Sequence, residues 1–376
     1  HPITVRCAAI SALAAFGDAE ASDDVRDLVG AAEPEIRLTA IDALGACGRR
    51  EVDLQSLEPH LYPRSESDPL VRQRARDSYL AITNRLPTRN RVQVSDSFDK
   101  SNDDVSQRLR VELLRNVKND SSTFEQLSKQ DRTDVFTRLA DAHLKLTDYA
   151  AAAVNYDQAA SLVEDPRSQA AQTLSIQAVR AKLLGREDAA GIGRLKELAD
   201  ADPANGEVDD AAALCTVVLD ELQSRLDGAD DAVSFAGTFS LIDLAKSLPS
   251  KLGARLGEKL SDLAHRATAK RSELVDQLLS SDGENGDFET RLIGFGKDIV
   301  VPRIYSRLVS LTPTTAPAEP QEDRLINLAR KLLPDWDGYE PGGPESQRAK
   351  ALQGLAELVP LAAPSGLSSK TDSDEN

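Results

Sequence analysis

The sequence is poor in the residues that build sheets, disulfide frameworks and membrane spans. Only 4% of its 376 residues are aromatic, methionine is absent, and there are three cysteines. An odd and sparse set of cysteines excludes a disulfide framework and fits a reducing compartment. No stretch reaches the roughly 18 consecutive apolar residues that a membrane helix needs, so we expect no membrane span.

Positive charge is also scarce, with 45 Lys and Arg against 62 Asp and Glu and a formal net charge of -17 at pH 7. Such a chain repels phosphate backbones and anionic lipid, so nucleic acid binding would require a local basic patch. Because aromatics are few while Ala and Leu are plentiful, closely packed helices are favoured over sheets. The composition therefore predicts a folded, all-α protein that is long enough for several domains or for an elongated solenoid.

An internal repeat occupies the first 86 residues. A segment that begins at Pro2 recurs after a shift of 31 positions, and a weaker third copy begins at Pro69. The apolar positions of each copy fall at i, i+4, i+5 and i+8, which is one face of an α-helix, and further apolar sets follow the first two copies. Each unit is therefore predicted to be a helix pair that must stack on its neighbours. The matched positions are Val5, Ile36 and Val71; Arg6, Arg37 and Arg72; Ala9, Ala40 and Ala75; Ala43 and Ser78; Ile10 and Ile41; Leu13, Leu44 and Tyr79; and Gly17 and Gly48.

This pattern resembles the short, PBS-lyase-type HEAT-like repeats over residues 1–86. The resemblance implies an α-solenoid of stacked antiparallel helix pairs, in which Arg6, Arg37 and Arg72 support turns rather than bind a ligand. Gly17 and Gly48 are expected to end their helices, because glycine tolerates the left-handed conformation. No polar capping repeat precedes the first copy and the chain begins at His1, so we expect a fragment of a longer chain whose missing start could include a signal peptide. The compartment stays open, with the cytoplasm favoured.

A second repeat type follows at about 131–205. Its best unit resembles a tetratricopeptide (TPR) repeat, so a HEAT-like solenoid is expected to continue into a TPR-like one. In that family Lys and Asn of the first helix clamp a C-terminal carboxylate, but Thr137 and Asp141 stand there, which argues against an acidic C-terminal peptide. His143 is expected to be a packed, partnered core histidine rather than a metal ligand. The positions that carry the resemblance are Phe136, Leu139, Ala140, His143, Ala152, Tyr156 and Ala159.

Composition divides the rest of the chain. Residues 87–130 are expected to hold a connector, polar and without helical periodicity over 87–105, and a bridging helix. Further helical hairpins are expected over 206–311, with a helix break at Pro302. A Pro-rich linker and C-terminal helices near 322–333 and 345–359 are expected within 312–364, and a disordered tail over 365–376.

Motifs for catalysis are missing from the sequence. HExxH and close Cys or His spacings are absent, and GFGK at 294–297 lacks the frame of a phosphate loop and is followed by Asp298. We therefore expect no catalytic residue, no cofactor and no metal, and a scaffold or adaptor that holds other proteins or peptide segments on a concave helical surface. The alternatives are a HEAT-repeat enzyme of the lyase or glycosylase type, a helical arm of a larger polypeptide, or a nucleic-acid-binding repeat protein.

One local basic patch stands out in this acidic chain. It is a candidate contact for an acidic partner or for phosphate, although the overall charge argues against nucleic acid. Its members are Arg72, Arg74, Arg76, Arg85, Arg89 and Arg91.

Overall fold

The computed structural model describes residues 2–16, 21–200, 208–248, 250–280, 288–311, 320–340 and 343–359. Across these residues the regular secondary structure is helical, without a strand. The chain divides into two compact units, residues 1–198 with 203–217 and residues 199–202 with 218–376. The predicted all-α fold of stacked helix pairs is confirmed.

The first unit is built from consecutive helices, most of which pack on helices close to them in the sequence. The helices are α1 (Ile3–Phe16), α2 (Ala21–Arg26), α3 (Pro34–Cys47), α4 (Glu51–Leu57) with a short 3-10 helix (Glu58–His60), α5 (Pro69–Arg85), α6 (Thr88–Asp96), α7 (Asp104–Asn119), α8 (Ser121–Phe124), α9 (Lys129–Lys145), α10 (Tyr149–Leu162), α11 (Gln169–Leu184) and α12 (Asp188–Asp200).

The first helices of the three repeats stack directly, with α1 on α3 and α3 on α5. Their contact is close because glycines on α3 face α5. A Cβ added at Gly45 would lie 2.7 Å from Ser78 Cβ, and the Ser78 hydroxyl donates to the Ile41 carbonyl oxygen at 2.9 Å. The apolar stripes found in the sequence are therefore the surfaces that join one repeat to the next.

Gly48 follows α3 as predicted, but the predicted left-handed conformation is wrong. Its φ is -63° and its ψ is 141°, and its N–H donates to the Leu44 carbonyl oxygen. Glycine is needed there for space, since a Cβ would lie 2.7 Å from that oxygen and 3.0 Å from Ile82 Cδ1. Gly17, the matching residue of the first repeat, lies outside the described residues.

The segment 87–105 was expected to lack helical structure, and this is wrong over α6. Helix α6 takes the second place of the third repeat, after α5, and buries Val94 and Ser95. Phe98, just beyond it, packs edge-on against Tyr79 with ring centroids 5.8 Å apart. The sequence did not indicate this helix, because only a few of its residues are buried and their apolar pattern is too short to recognise. The buried cluster of the repeats continues through Leu86 to Leu113 of α7.

The pairs α9–α10 and α11–α12 are joined by turns of the same geometry. Thr147 and Arg186 have positive φ values of 57° and 63°. In each turn the residue that follows donates its N–H to a carbonyl oxygen five residues back, from Asp148 to His143 and from Glu187 to Lys182, both at 2.9 Å. This six-residue closure is a Schellman-type helix end.

The second unit contains longer helices. They are α13 (Val208–Gly228), which crosses the division between the units, α14 (Ala232–Lys246), α15 (Ser250–Ser280), α16 (Phe288–Gly294), α17 (Lys297–Ser310), α18 (Pro320–Leu332) and α19 (Glu345–Leu358). The two C-terminal helices lie where the sequence predicted them. The segments 202–205, 281–287 and 312–319, and the tail 365–376, lie outside the described residues.

The predicted helix break at Pro302 is wrong, because α17 runs through this proline. The break lies earlier, between α16 and α17, where Gly296 has a φ of 88°. Phe295 is fully buried, and its carbonyl oxygen accepts from Arg271 Nη2. The glycines of the GFGK segment therefore serve a turn between two helices.

Candidate functional site

The recurring arginines of the second and third repeats bind the turns that precede their helices. Arg37 donates through Nη1 to the carbonyl oxygens of Ala31 and Ala32, and its Nε lies 3.0 Å from Glu66 Oε2 of the next repeat. Arg72 donates in the same way to the carbonyl oxygens of Glu66 and Ser67, both at 2.8 Å. Both guanidinium groups are thus engaged within the repeats, and the structural role expected for the recurring arginines stays a prediction.

The six arginines of the Arg72–Arg91 patch do not form one continuous surface of unpaired cations. Arg85 donates to the carbonyl oxygens of Gly45 and Gly48, and Arg91 to that of Leu86 and to Asp120. Arg76 binds Glu112 through two nitrogens. Arg74, 3.9 Å from Asp42, and Arg89 are exposed. Since Arg72 is also occupied, four of the six guanidinium groups already serve the repeats.

A groove lies elsewhere in the first unit, between α7, α9 and α10. It encloses about 330 Å³, a size that suits one or two side chains of a bound segment. Helix α7 contributes cations one turn apart, α9 contributes its core face, and α10 contributes small and apolar residues. The lining residues are Arg115, Lys118, Leu139, His143, Ala150, Ala151, Val154 and Asn155.

The two cations of this groove have no acidic partner among the described residues. Arg115 Nη2 lies 3.4 Å from His143 Nε2, and the ammonium of Lys118 lies 5.1 Å from the centre of the Phe136 ring. Glu112 stands one turn before Arg115 but is held by Arg76. In a chain with a net charge of -17, two cations without a carboxylate form a local positive field.

His143 fixes one wall of the groove and stays neutral. It is buried, and its Nδ1 lies 3.0 Å from Asp148 Oδ2. Burial lowers the pKa of His143 below 6.5; the Asp148 carboxylate opposes this, and the charges of Arg115 and Lys118 add to it. A neutral ring that donates from Nδ1 to Asp148 has Nε2 free to accept from Arg115, which holds the guanidinium at the groove. The expected packed and partnered histidine is found.

The floor of the groove is apolar. Leu139 is buried at its base, whereas Val154 of α10 is 55% exposed. Asn155 is buried beside it and donates to the Ala151 carbonyl oxygen at 2.7 Å. Cations above an apolar floor fit a segment that combines a carboxylate with an apolar side chain.

The structure also buries the other positions of the TPR-like pattern. Leu139 and Ala140 of α9 and Ala152, Tyr156 and Ala159 of α10 are all buried, and the Tyr156 hydroxyl donates to Asp141 Oδ1 at 2.5 Å. Sequence reasoning missed Arg115 and Lys118 because it looked for cations on α9 alone. A search for helix cations without an acid three or four residues away would have found Lys118 but missed Arg115, since Glu112 is close to Arg115 in sequence but paired with Arg76.

Sites for metal and for reactive thiols do not emerge in the described ranges. No group of three or more His, Cys, Asp or Glu residues there is placed to hold a metal ion. Cys47 is fully buried, and burial raises the pKa of its thiol, which makes it less reactive. None of the described helices has the length and apolarity to cross a membrane.

The stacked helix pairs with their recurring arginines define the class, a helical repeat protein. Residues 2–79 match the family described as HEAT repeats, which confirms the resemblance seen in the first three units. No curated protein and no solved structure matches the chain. The TPR-like assignment of the following helices stays a prediction, as do the domain boundaries drawn from composition.

Proposed function

We propose that this chain is a non-catalytic scaffold that binds other proteins, and that the groove between α7, α9 and α10 takes an acidic segment of its partner. HEAT repeats commonly serve protein–protein contact, and stacked helix pairs offer extended surfaces for it. The observation that carries the proposal is a pair of cations, Arg115 and Lys118, that have no acidic partner within the described part of the chain and lie beside an apolar floor.

The chemistry of the groove selects a carboxylate. Arg115 can donate two parallel hydrogen bonds to one carboxylate, and Lys118 adds a point charge. The exposed Val154 offers contact to a neighbouring apolar side chain. The sequence argued against an acidic C-terminal peptide on the basis of Thr137 and Asp141 of α9 and left other segments open; the cations of the groove come instead from α7.

Peptide display on the full-length chain tests this proposal. A library of random peptides is selected on the immobilised protein, and the selected peptides are titrated against three proteins by fluorescence anisotropy. The proteins are the wild type, the variant Arg115→Glu with Lys118→Glu, and the control Arg108→Glu. Arg108 is an exposed residue of the same helix, paired only one turn away with Asp104.

We expect enrichment of peptides that combine Asp or Glu with an apolar residue, and affinity that falls as salt is raised. The groove variant should lose roughly tenfold or more in affinity, since a charge-assisted hydrogen bond contributes about 1.5–3 kcal/mol. The control should bind like the wild type. Selection of neutral peptides, or equal binding by the groove variant, would show that this groove is not the binding site.

A further inference from the structure

A pocket of about 470 Å³ lies in the second unit, between the turn that follows α18 and helix α19. Its volume falls within the range of sites for small molecules. The turn supplies Asp335, Trp336 and Asp337 to the lining, and α19 supplies Ala351 and Gly354. Trp336 is buried, with 5% of its surface exposed, and a Cβ added at Gly354 would meet no atom within 4 Å. The pocket is therefore open space between Trp336 and a helix face of small residues.

Contacts within the unit hold the turn in place without using the charged groups of the pocket. Trp336 Nε1 donates to the Ala351 carbonyl oxygen at 2.9 Å, which joins the turn to α19. Arg330 Nε of α18 donates to the Asp337 carbonyl oxygen at 3.1 Å. Gly338 has a φ of 69°, and a Cβ there would lie 2.5 Å from Arg330 Nε. The backbone of the turn is thus fixed on both sides, whereas the Asp337 carboxylate takes no part.

Charged groups of both signs line the pocket but do not pair with each other. Asp335 and Asp337 stand on the turn and Lys350 stands on α19, and all three are exposed. None of the three forms an ion pair with a residue that the structure describes. The two walls of the pocket therefore offer two carboxylates on one side and one ammonium group on the other.

A neighbouring carboxylate of the same unit shows the contrast. Glu322 of α18 accepts from the Tyr339 hydroxyl at 2.5 Å and lies 3.3 Å from Arg348 Nε. Its charge is thus neutralised by α19 and by the residues that follow the turn. Lys350 lies only two residues beyond Arg348 on α19 but lines the pocket instead. The charges at the pocket are accordingly available to a bound molecule.

Unpaired charges on opposite walls select a ligand that carries both signs. An ammonium group is the natural partner of Asp335 and Asp337, and a carboxylate is the natural partner of Lys350. Between them, Trp336 and Leu358 offer contact to an apolar side chain. A ligand with only a positive charge would leave Lys350 to repel it, and one with only a negative charge would meet two carboxylates.

We propose that this pocket binds a free α-amino acid with an apolar side chain. The ammonium group of the ligand binds at Asp335 and Asp337, its carboxylate binds at Lys350, and its side chain packs on Trp336. This assignment goes beyond the proposed protein-binding function. It rests on residues of the second unit alone and does not depend on the groove between α7, α9 and α10.

Titration of the full-length chain with L-phenylalanine and L-leucine tests the proposal. Calorimetry measures binding, and the emission of Trp336, the single tryptophan of the chain, reports occupancy of the pocket. Matched analogues examine each charge of the ligand separately. Phenethylamine and isopentylamine lack the carboxylate, whereas hydrocinnamate and isocaproate lack the ammonium group.

Three variants and one control locate the site. The double variant Asp335→Asn with Asp337→Asn removes the charges of the turn. Lys350→Gln removes the charge of α19, and Gly354→Leu narrows the pocket while it replaces a glycine inside a helix by a better helix former. The control Asp323→Asn removes an exposed carboxylate of α18 that is not part of the lining. All four proteins keep the tryptophan.

We expect saturable binding of at least one of the two amino acids, with a dissociation constant on the order of 1 mM or below and a change in Trp336 emission. Each pocket variant should weaken binding by roughly tenfold or more, and so should the loss of either charged group from the ligand. The control should bind like the wild type.

Three results would overturn the proposal. The first is the absence of binding by both amino acids. The second is equal binding of the amines that lack the carboxylate, because Lys350 would then have no role. The third is binding that Gly354→Leu leaves unchanged, because the ligand would then lie elsewhere on the protein.

Discussion

Asp53 is a fully buried carboxylate at the start of α4, and groups of its own chain satisfy it. Its oxygens accept from the backbone N–H groups of Arg49 and Arg50 at 3.0 Å and from Arg26 of the preceding repeat at 2.6 Å. Two neighbouring second helices are thereby joined through one side chain. The pair has little access to water, so loss of one partner leaves the other charge poorly solvated.

We predict that Asp53→Ala lowers the free energy of unfolding by about 3 kcal/mol, because it removes the acceptor of two N–H groups and the buried one of the two carboxylates that bind Arg26, the other being Asp23. Urea unfolding followed by circular dichroism measures the change. Asp24→Ala, at an exposed position of α2, is the control and should change stability by about 0.5 kcal/mol or less. Equal effects of the two changes would contradict the assigned role of Asp53.

His143 gives stability a dependence on pH near neutrality. Burial is the main cause that lowers the pKa of His143 in the folded protein below 6.5, so the unfolded chain binds a proton at higher pH than the folded one. The contribution to stability is therefore complete above pH 6.5 and is lost as the pH falls from 6.5 toward the folded-state pKa.

We predict that the wild type loses more free energy of unfolding between pH 7.5 and pH 5.5 than the variant His143→Asn, which has no group that titrates at this position. Urea unfolding at the two pH values measures both losses. The difference between the losses removes the contribution of the other histidines, since both proteins share them. Equal losses would mean that His143 has the same pKa in the folded and unfolded states.

Helix α3 approaches α5 so closely that one residue type is required at the contact. A Cβ at Gly45 would lie 2.7 Å from Ser78 Cβ and 2.9 Å from Ser78 Cα, and the second of these belongs to the backbone. The neighbour therefore cannot yield by a rotamer change alone. This requirement explains a glycine in the middle of a helix, where glycine is otherwise unfavourable.

We predict that Gly45→Ala lowers the free energy of unfolding by about 2 kcal/mol through overpacking between the two helices. Gly193→Ala in α12 is the matched control, because nothing lies within 4 Å of the added Cβ; it should raise stability by up to about 1 kcal/mol. Adding Ser78→Gly to Gly45→Ala should recover part of the loss. Strict additivity of that pair in thermal or urea unfolding would argue against the close contact.

The turn between α9 and α10 contains strain that a single change should relieve. Thr147 has a φ of 57°, a conformation that a β-branched residue adopts at a cost. We predict that Thr147→Gly raises the free energy of unfolding by about 1 kcal/mol. Thr173→Gly, at an exposed position inside α11, should lower it by a similar amount. Denaturant midpoints of the two variants give the test, and a decrease for both would contradict it.

The sequence predicted those helices whose apolar residues recur at the period of a helix and are buried on one face. The stripes led by Ile36 and Val71, and the core positions of α9 and α10, were visible because stacked helices bury one face at a regular period. Helix α6 was not apparent, because it buries few residues, and the break at Gly296 was placed at Pro302, although α17 runs through that proline. The groove was not predictable, since the freedom of Arg115 depends on Arg76 holding Glu112 across two helices.

At the scale of the whole chain, the net negative charge bears on which partners can bind, and the division into two compact units bears on how the chain unfolds. A net charge of -17 repels anionic polymers and acidic segments alike, so in the proposed function Arg115 and Lys118 of the groove supply the local attraction for a carboxylate. Most arginines of the Arg72–Arg91 patch already bind carbonyl oxygens of turns or carboxylates of neighbouring helices. This leaves few places among the described residues where an acidic partner would meet an unpaired cation. The groove between α7, α9 and α10 is one of these places.

The two compact units are predicted to unfold separately, so that a destabilising substitution in one unit does not change the unfolding transition of the other. Trp336 is the single tryptophan, and it lies buried in the second unit, where its Nε1 donates to the Ala351 carbonyl oxygen at 2.9 Å. Tryptophan fluorescence therefore reports unfolding of the second unit, whereas circular dichroism reports helix loss in both.

Because each unit has its own buried core, Asp53→Ala in the first unit should leave the fluorescence midpoint in urea unchanged while circular dichroism shows an earlier first transition. Leu355→Ala, at a fully buried position of α19 in the second unit, serves as the reciprocal control, since it keeps the tryptophan and should shift the fluorescence transition alone. Coincident shifts of both signals in Asp53→Ala would mean that the chain unfolds as one cooperative body, and the stability lost in the repeats would then be felt throughout the molecule.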